Sequence, residues 1–208
     1  GASGQQLVRV EVPLPEVAPL DWLRAHPAHT QYYWADRAGE FAMAGVGEAD
    51  VLAPREDEQG GLAVPFGHMR ARLNPAHPSL RYYGGLRFHP GTPRTAWWQA
   101  FRDYRFVVPR FEVLQRHGRC HFACNLRPAR YTTVEAALAE TAEYLETLTF
   151  APAATPALLP RVQSRRDCPD ERQWRERVIE TLGAFEETPL EKVVLARETH
   201  FSMDGPLD

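Results

Sequence analysis

The 208-residue chain has 24 basic residues; 23 are arginine, and its one lysine is Lys192, set in Leu190-Glu191-Lys192-Val193-Val194-Leu195-Ala196-Arg197. A sequence that uses arginine wherever a plain positive charge is wanted keeps lysine where a guanidinium does not serve. The difference lies in the proton. An ammonium can release it at accessible pH and a guanidinium cannot, so lysine is usable as a general base or a Schiff-base nucleophile. Burial or a neighbouring like charge weakens an ammonium's hold on that proton. Val193, Val194 and Leu195 predict a buried strand here that would supply the burial. On such a strand Lys192 and Val194 share one face, Val193, Leu195 and Arg197 the other, and the lysine face lines a cleft.

Other groupings carry less chemistry. Cys120, Cys124 and Cys168 are an odd and sparse set, which fits a reducing compartment better than a disulfide scaffold. Cys120-His121-x-x-Cys124 has the residue types of a metal site, but a strand puts the two thiols on one face and the imidazole on the other. His26 and His29 are separated by Pro27, which spoils a helical face for metal binding. Gly84-Gly85 lacks the spacing and the following Lys-Ser/Thr of a phosphate loop and predicts a bulge or a close backbone approach. Without such a loop, a pyridoxal-phosphate enzyme using Lys192 is disfavoured. Trp97, Trp98, Phe101, Tyr104 and Phe106 read as core aromatics. No Gly-x-Ser-x-Gly elbow is present.

The elements that must position Lys192 follow from periodicity. Residues 7–12 place Val8, Val10 and Val12 on one face, predicted to be the buried one, with Arg9 and Glu11 opposite. Residues 32–34 and 41–46 flank Asp36-Arg37-Ala38-Gly39, a hairpin turn. Residues 51–61 read as a polar loop, 64–73 as a helix closed by Asn74-Pro75, and 81–88 as a glycine-broken strand. A short aromatic helix over 96–101 precedes strands at 104–108 and 111–117, which Pro109 separates, and Gly118 turns into a strand over 119–125. Thr132-x-x-Glu135 predicts a capping box, opening a helix with the apolar stripe Val134, Leu138, Ala142, Leu145 and Leu148. A second helix spans 170–186 with the stripe Trp174, Val178, Leu182 and Phe185, and delivers the chain to Lys192. Strands with helices between them, in no regular alternation, predict an α+β fold with a mainly antiparallel sheet.

Composition excludes several function classes. A net charge of -3 and a pI near 6.3, without a basic run, leave no electrostatic footprint for nucleic acid or an anionic membrane surface. No apolar run reaches the ~18 residues of a membrane helix, and the N-terminus has no signal-peptide pattern, so the expectation is a soluble cytoplasmic protein.

Four blocks together resemble isochorismate synthase: Tyr33-Trp34-Ala35-Asp36-Arg37 with Ala44-Gly45; Arg81-Tyr82-Tyr83-Gly84-Gly85-Leu86-Arg87-Phe88; Phe106-Val107-Val108-Pro109-Arg110-Phe111-Glu112; and Trp174 leading to Lys192-Val193-Val194-Leu195-Ala196-Arg197. They occur in that family's order. The resemblance implies the chorismate-utilising fold shared with anthranilate, aminodeoxychorismate and salicylate synthases: large antiparallel sheets sandwiched with helices. It implies chorismate as substrate, Mg²⁺ as cofactor, and isomerisation to isochorismate, a product that serves menaquinone or siderophore synthesis. Lys192 matches the family's general base, which activates water to attack the ring as the ring hydroxyl leaves. Ammonia-using relatives usually carry a Gln-like residue here, so Lys192 favours a water-using enzyme. Family members are about twice as long, and their C-terminal part supplies the metal carboxylates and the general acid. Residues 1–208 are thus expected to form the N-terminal part of one chorismate-utilising domain, with Lys192 the single catalytic residue carried over and no metal ligand among them. A salicylate or anthranilate synthase-like lyase, or a noncatalytic truncated module, are the alternatives.

Overall fold

A computed structural model describes residues 6–54, 63–88, 96, 99, 102–151 and 160–206. The chain forms two compact units, residues 1–154 and 155–208. The first is built on a six-stranded sheet: β1 (Val8–Leu14), β2 (Gln31–Ala35), β3 (Phe41–Leu52), β4 (Tyr83–Leu86), β5 (Tyr104–Arg116) and β6 (Arg119–Leu126). Its order is β1-β6-β5-β3-β2, with β4 also on β5. Every pairing is antiparallel, as the α+β reading requires. Helices α1 (Pro19–Arg24), α2 (Ala63–Arg72) and α3 (Val134–Glu146) accompany it.

The hairpin between β2 and β3 forms where expected, its turn held by the Glu40 amide donating to the Asp36 carboxylate at 2.9 Å. Helix α2 also agrees, ended by Asn74, whose side-chain oxygen accepts from the Ala76 amide. Gly84 makes the close approach predicted for it, since a Cβ there would collide with the Arg105 carbonyl on β5. Trp97, Trp98 and Phe101 of the expected aromatic helix lie outside the described residues.

Five expectations are corrected in this unit. Pro109 does not divide two strands: β5 runs unbroken through it for 13 residues. Two local devices make room for it. The register slips between Glu48 and Asp50 opposite the proline, so its missing N–H is absorbed by a bulge. Its ring lies over Gly45, where a Cβ would stand 2.6 Å from two ring carbons. Val51 and Leu52 belong to β3 rather than a loop.

The buried face of β1 is the opposite of the predicted one. Val8, Val10 and Val12 are exposed, Val10 at 63%, while Arg9 is buried. The helix-covered side of the sheet is a cluster of Trp22, Leu23, Ala44, Val46, Phe111, Val113 and Phe122, and of the β1 residues Leu14 packs against it. Arg9 instead finds partners on the reverse face, described below.

Helix α3 is capped by Thr133 rather than Thr132, its hydroxyl accepting from the Ala136 amide at 3.1 Å. It also presents a different stripe. Val134 and Leu138 are 69% and 61% exposed, whereas Ala137 is buried and Tyr144 and Leu148 join the sheet cluster. Tyr144 decides the rotation, with its ring 5.2 Å from Phe111 and 5.0 Å from His29, while small Ala137 lets the helix lie close.

The second unit contains β7 (Val162–Cys168), α4 (Glu171–Glu187) and β8 (Glu198–Met203), the two strands forming an antiparallel pair. Helix α4 starts as expected, with a capping box between Asp170 and Gln173. Strand β7 has no counterpart in the sequence reading. No helix among the described residues is long and apolar enough to cross a membrane.

Candidate functional site

The expected strand around Lys192 is absent. Residues 191–197 have no regular secondary structure, and β8 begins only at Glu198. Lys192 is exposed, Val194 is 80% exposed and Val193 38%, so no buried lysine-lined cleft forms within this unit. A strand needs a neighbour for its backbone N–H and C=O groups, and β7 pairs with residues 198–203, not with 191–197. The Lys192 ammonium makes no hydrogen bond or ion pair with any other described residue.

The end of the same block is anchored. The Arg197 guanidinium lies over the Trp174 ring, 6.0 Å from its centroid, and 3.9 Å from the Asp167 carboxylate. Asp167 also accepts from the Thr199 hydroxyl at 2.6 Å and pairs with Arg165 at 3.1 Å. The Thr199 hydrogen bond, followed by the Arg165 and Arg197 charges, holds the Asp167 carboxyl below the usual carboxylate range. The segment bearing Lys192 therefore runs from the C-terminus of α4 to a fixed point at Arg197.

The other family-like blocks are placed in the first unit, where their polar residues pin the sheet together. The Tyr82 hydroxyl donates to Asp50 at 2.5 Å, and Asp50 also takes Arg72 at 2.9 Å and Arg127 at 2.8 Å. Burial, then the hydrogen bond to Asp50, pushes the Tyr82 phenol well above its ordinary value. Arg110 donates to the Thr141 hydroxyl of α3 at 2.5 Å. Glu112, wholly buried, accepts from Arg9 at 3.1 Å and from the Asn125 amide at 2.6 Å. Asn125 in turn accepts from Arg9 at 2.9 Å and donates to the Pro109 carbonyl at 2.8 Å. Burial pushes the Glu112 carboxyl up, and Arg9 and Asn125 only partly restrain it. For Arg9 burial acts to loosen the proton, but the Glu112 and Glu11 carboxylates outweigh it.

These networks escaped the sequence reading. The available signal was a charged or amide residue at strand positions flanked by apolar ones, as at Glu112 between Phe111 and Val113. Cys120 and Cys124 face the helices and His121 the reverse side, the opposite placement expected of a strand. His26 is structural: its Nδ1 bonds the Trp22 carbonyl at 2.7 Å and its Nε2 accepts from the Thr149 amide at 2.9 Å. Among the described residues no group of three or more His, Cys, Asp or Glu could hold a metal ion. They offer no set of carboxylates that fits a magnesium ion.

Comparison with known proteins places these features in context. Residues 2–208 match a family described as chorismate binding enzyme. Isochorismate synthase 2, chloroplastic, of Arabidopsis thaliana is 26% identical, aligned over 97% of this chain and 40% of its own length. Isochorismate synthase, chloroplastic, of Catharanthus roseus is 24% identical over 97% of this chain and 42% of its own. Isochorismate synthase MenF of Escherichia coli is 23% identical over 99% of this chain and 42% of its own. The chain thus spans about two fifths of the length of the curated relatives it matches. The solved structure of MenF, the menaquinone-specific isochorismate synthase, superposes with a TM-score of 0.69 at 21% identity, over 98% of this chain and 43% of that one. That likeness establishes the fold.

Proposed function

We propose that this chain, which belongs to the chorismate-binding enzyme family, is the N-terminal portion of an isochorismate synthase in which Lys192 is the general base. The observation that carries this is the extent of the similarity: it runs through 97% or more of the chain in each of three isochorismate synthases. The single lysine of the sequence lies inside that span.

In the reaction, Lys192 as a neutral amine takes a proton from water while the water oxygen bonds to the chorismate ring. The ring hydroxyl departs with a proton delivered by an acid, so one water enters and one leaves. Cover from water favours the neutral amine that a general base requires. We place that cover, the acid and the Mg²⁺ ligands in the portion that the relatives have in addition to the span matched here. Anchoring of Arg197 on Trp174 and Asp167 would then hold the Lys192 segment in place for docking.

The test is isochorismate formation from chorismate with Mg²⁺, by the natural polypeptide that carries this sequence, as wild type and as Lys192→Arg. The variant keeps the charge but cannot act as a base, so turnover is expected to fall about 10²–10⁴-fold. Retention of more than about a tenth of the rate removes Lys192 from the role. Pyruvate release in place of isochorismate assigns a lyase, and no turnover by the wild type a noncatalytic module.

A further inference from the structure

A cavity of about 400 Å³ opens on the sheet face opposite α1 and α3, and its lining includes Arg81, Arg116, Arg119, Glu11, Phe41 and Leu114. The register accounts for this gathering. Phe41 pairs with Arg116, Leu114 with His121, and Arg116 with Arg119, and directly opposed residues of an antiparallel pair share a face. His117 and Gly118 form the two-residue turn of the β5–β6 hairpin with φ of 47° and 72°, the positive-φ turn that keeps strands in tight register. Two guanidinium-bearing residues are thereby fixed side by side at the hairpin end. Arg81 enters from the segment before β4, its guanidinium 5.0 Å over the Phe41 ring.

The charge balance in this cavity is one-sided. None of Arg81, Arg116 and Arg119 has a carboxylate partner among the described residues. The acid of the lining, Glu11, already accepts from Arg9 at 2.8 Å. Opposed like charges cost stability, and elsewhere in this unit arginines are paired with Asp50, Glu48 and Glu112.

We propose that this cavity binds a small dicarboxylate. Each guanidinium fork matches one carboxylate bidentately, and the forks come from two places, the hairpin end and the segment before β4, which suits a ligand with two carboxylates. Phe41 and Leu114 supply an apolar surface for the carbon skeleton between them, which bare phosphate would leave unused. Every lining residue belongs to the first unit.

The test is titration calorimetry of the 208-residue chain with phthalate as probe, with benzoate and inorganic phosphate as comparisons. Phthalate is expected to bind with a Kd below about 1 mM, and about tenfold more tightly than either comparison ion. Arg116→Ala and Arg119→Ala, both at the exposed hairpin end, are each expected to weaken it about tenfold with a thermal melting point no lower than that of the wild type. Absence of phthalate binding, binding equal in both variants and wild type, or benzoate or phosphate binding as tightly as phthalate would each overturn the proposal.

Discussion

Replacing Arg9 with methionine strands a carboxylate inside the sheet. The Arg9 and Glu112 side chains are 1% and 0% exposed, with Nη1 3.1 Å from Oε2. At that distance and an effective dielectric constant of about 20 their attraction is about 5 kcal/mol, of the same order as the several kcal/mol each ion loses on leaving water. The intact pair is therefore near neutral in net stability. Glu112 alone keeps its desolvation cost and has only the Asn125 amide, at 2.6 Å. Arg9→Met is expected to cost about 3–5 kcal/mol at neutral pH. Burial already raises the Glu112 carboxyl, and losing Arg9 raises it further. A group whose pKa is higher folded than unfolded favours the fold most below its unfolded value, and that contribution is lost as pH rises through the folded value. The deficit of the variant relative to wild type should accordingly shrink on acidification. Urea unfolding followed by far-ultraviolet circular dichroism at neutral and mildly acidic pH measures this. Arg9→Met/Glu112→Leu, with neither charge, should recover much of the loss. A single variant within about 1 kcal/mol of wild type, or a double variant as unstable as the two singles added, would refute the reasoning.

Gly45→Ala should destabilise the first unit by about 1–3 kcal/mol because its Cβ meets the Pro109 ring, and should cost less in a Pro109→Ala background, read by the same urea assay. Thr133→Ala should cost about 1 kcal/mol through the lost cap, whereas Thr132→Ala should stay within about 0.5 kcal/mol; equal effects would return the cap to the predicted position. The 208-residue chain by itself is expected to leave chorismate unchanged with or without Mg²⁺, since a base without acid or metal cannot complete the exchange; magnesium-dependent isochorismate formation would locate that machinery within it.

The antiparallel sheet, both long helices and the β2–β3 hairpin were legible from periodicity and turn chemistry, because those signals are local. The errors share a cause of another kind. The alternation in β1 correctly separated its valines from Arg9 but could not say which set faces cover. An edge strand beyond the reach of α1 and α3 leaves valines in water, while Glu112 and Asn125, more than a hundred residues away, make a home for Arg9. Pro109 read as a break because the bulge and the glycine that absorb it sit on β3. On α3, Tyr144 outweighed an aliphatic stripe that looked more regular. The lysine was singled out by its rarity and its family-like block. Burial of its segment is a property of neighbours, and β7 pairs with residues 198–203 instead.

The open position of Lys192 makes amine chemistry nearly residue-specific in the 208-residue chain. Apart from the terminal α-amino group it is the single primary amine in the chain, and it lies in an exposed segment. Arginine does not react with acylating reagents under mild conditions, so a lysine-directed label marks one internal peptide, whose mass shift gives the extent of modification. The acylation rate of that peptide reports how far the ammonium has been covered and deprotonated, with no substrate present. Compared between the 208-residue chain and the natural polypeptide that carries it, the same reagent reads the environment of the proposed base as a rate at one nitrogen.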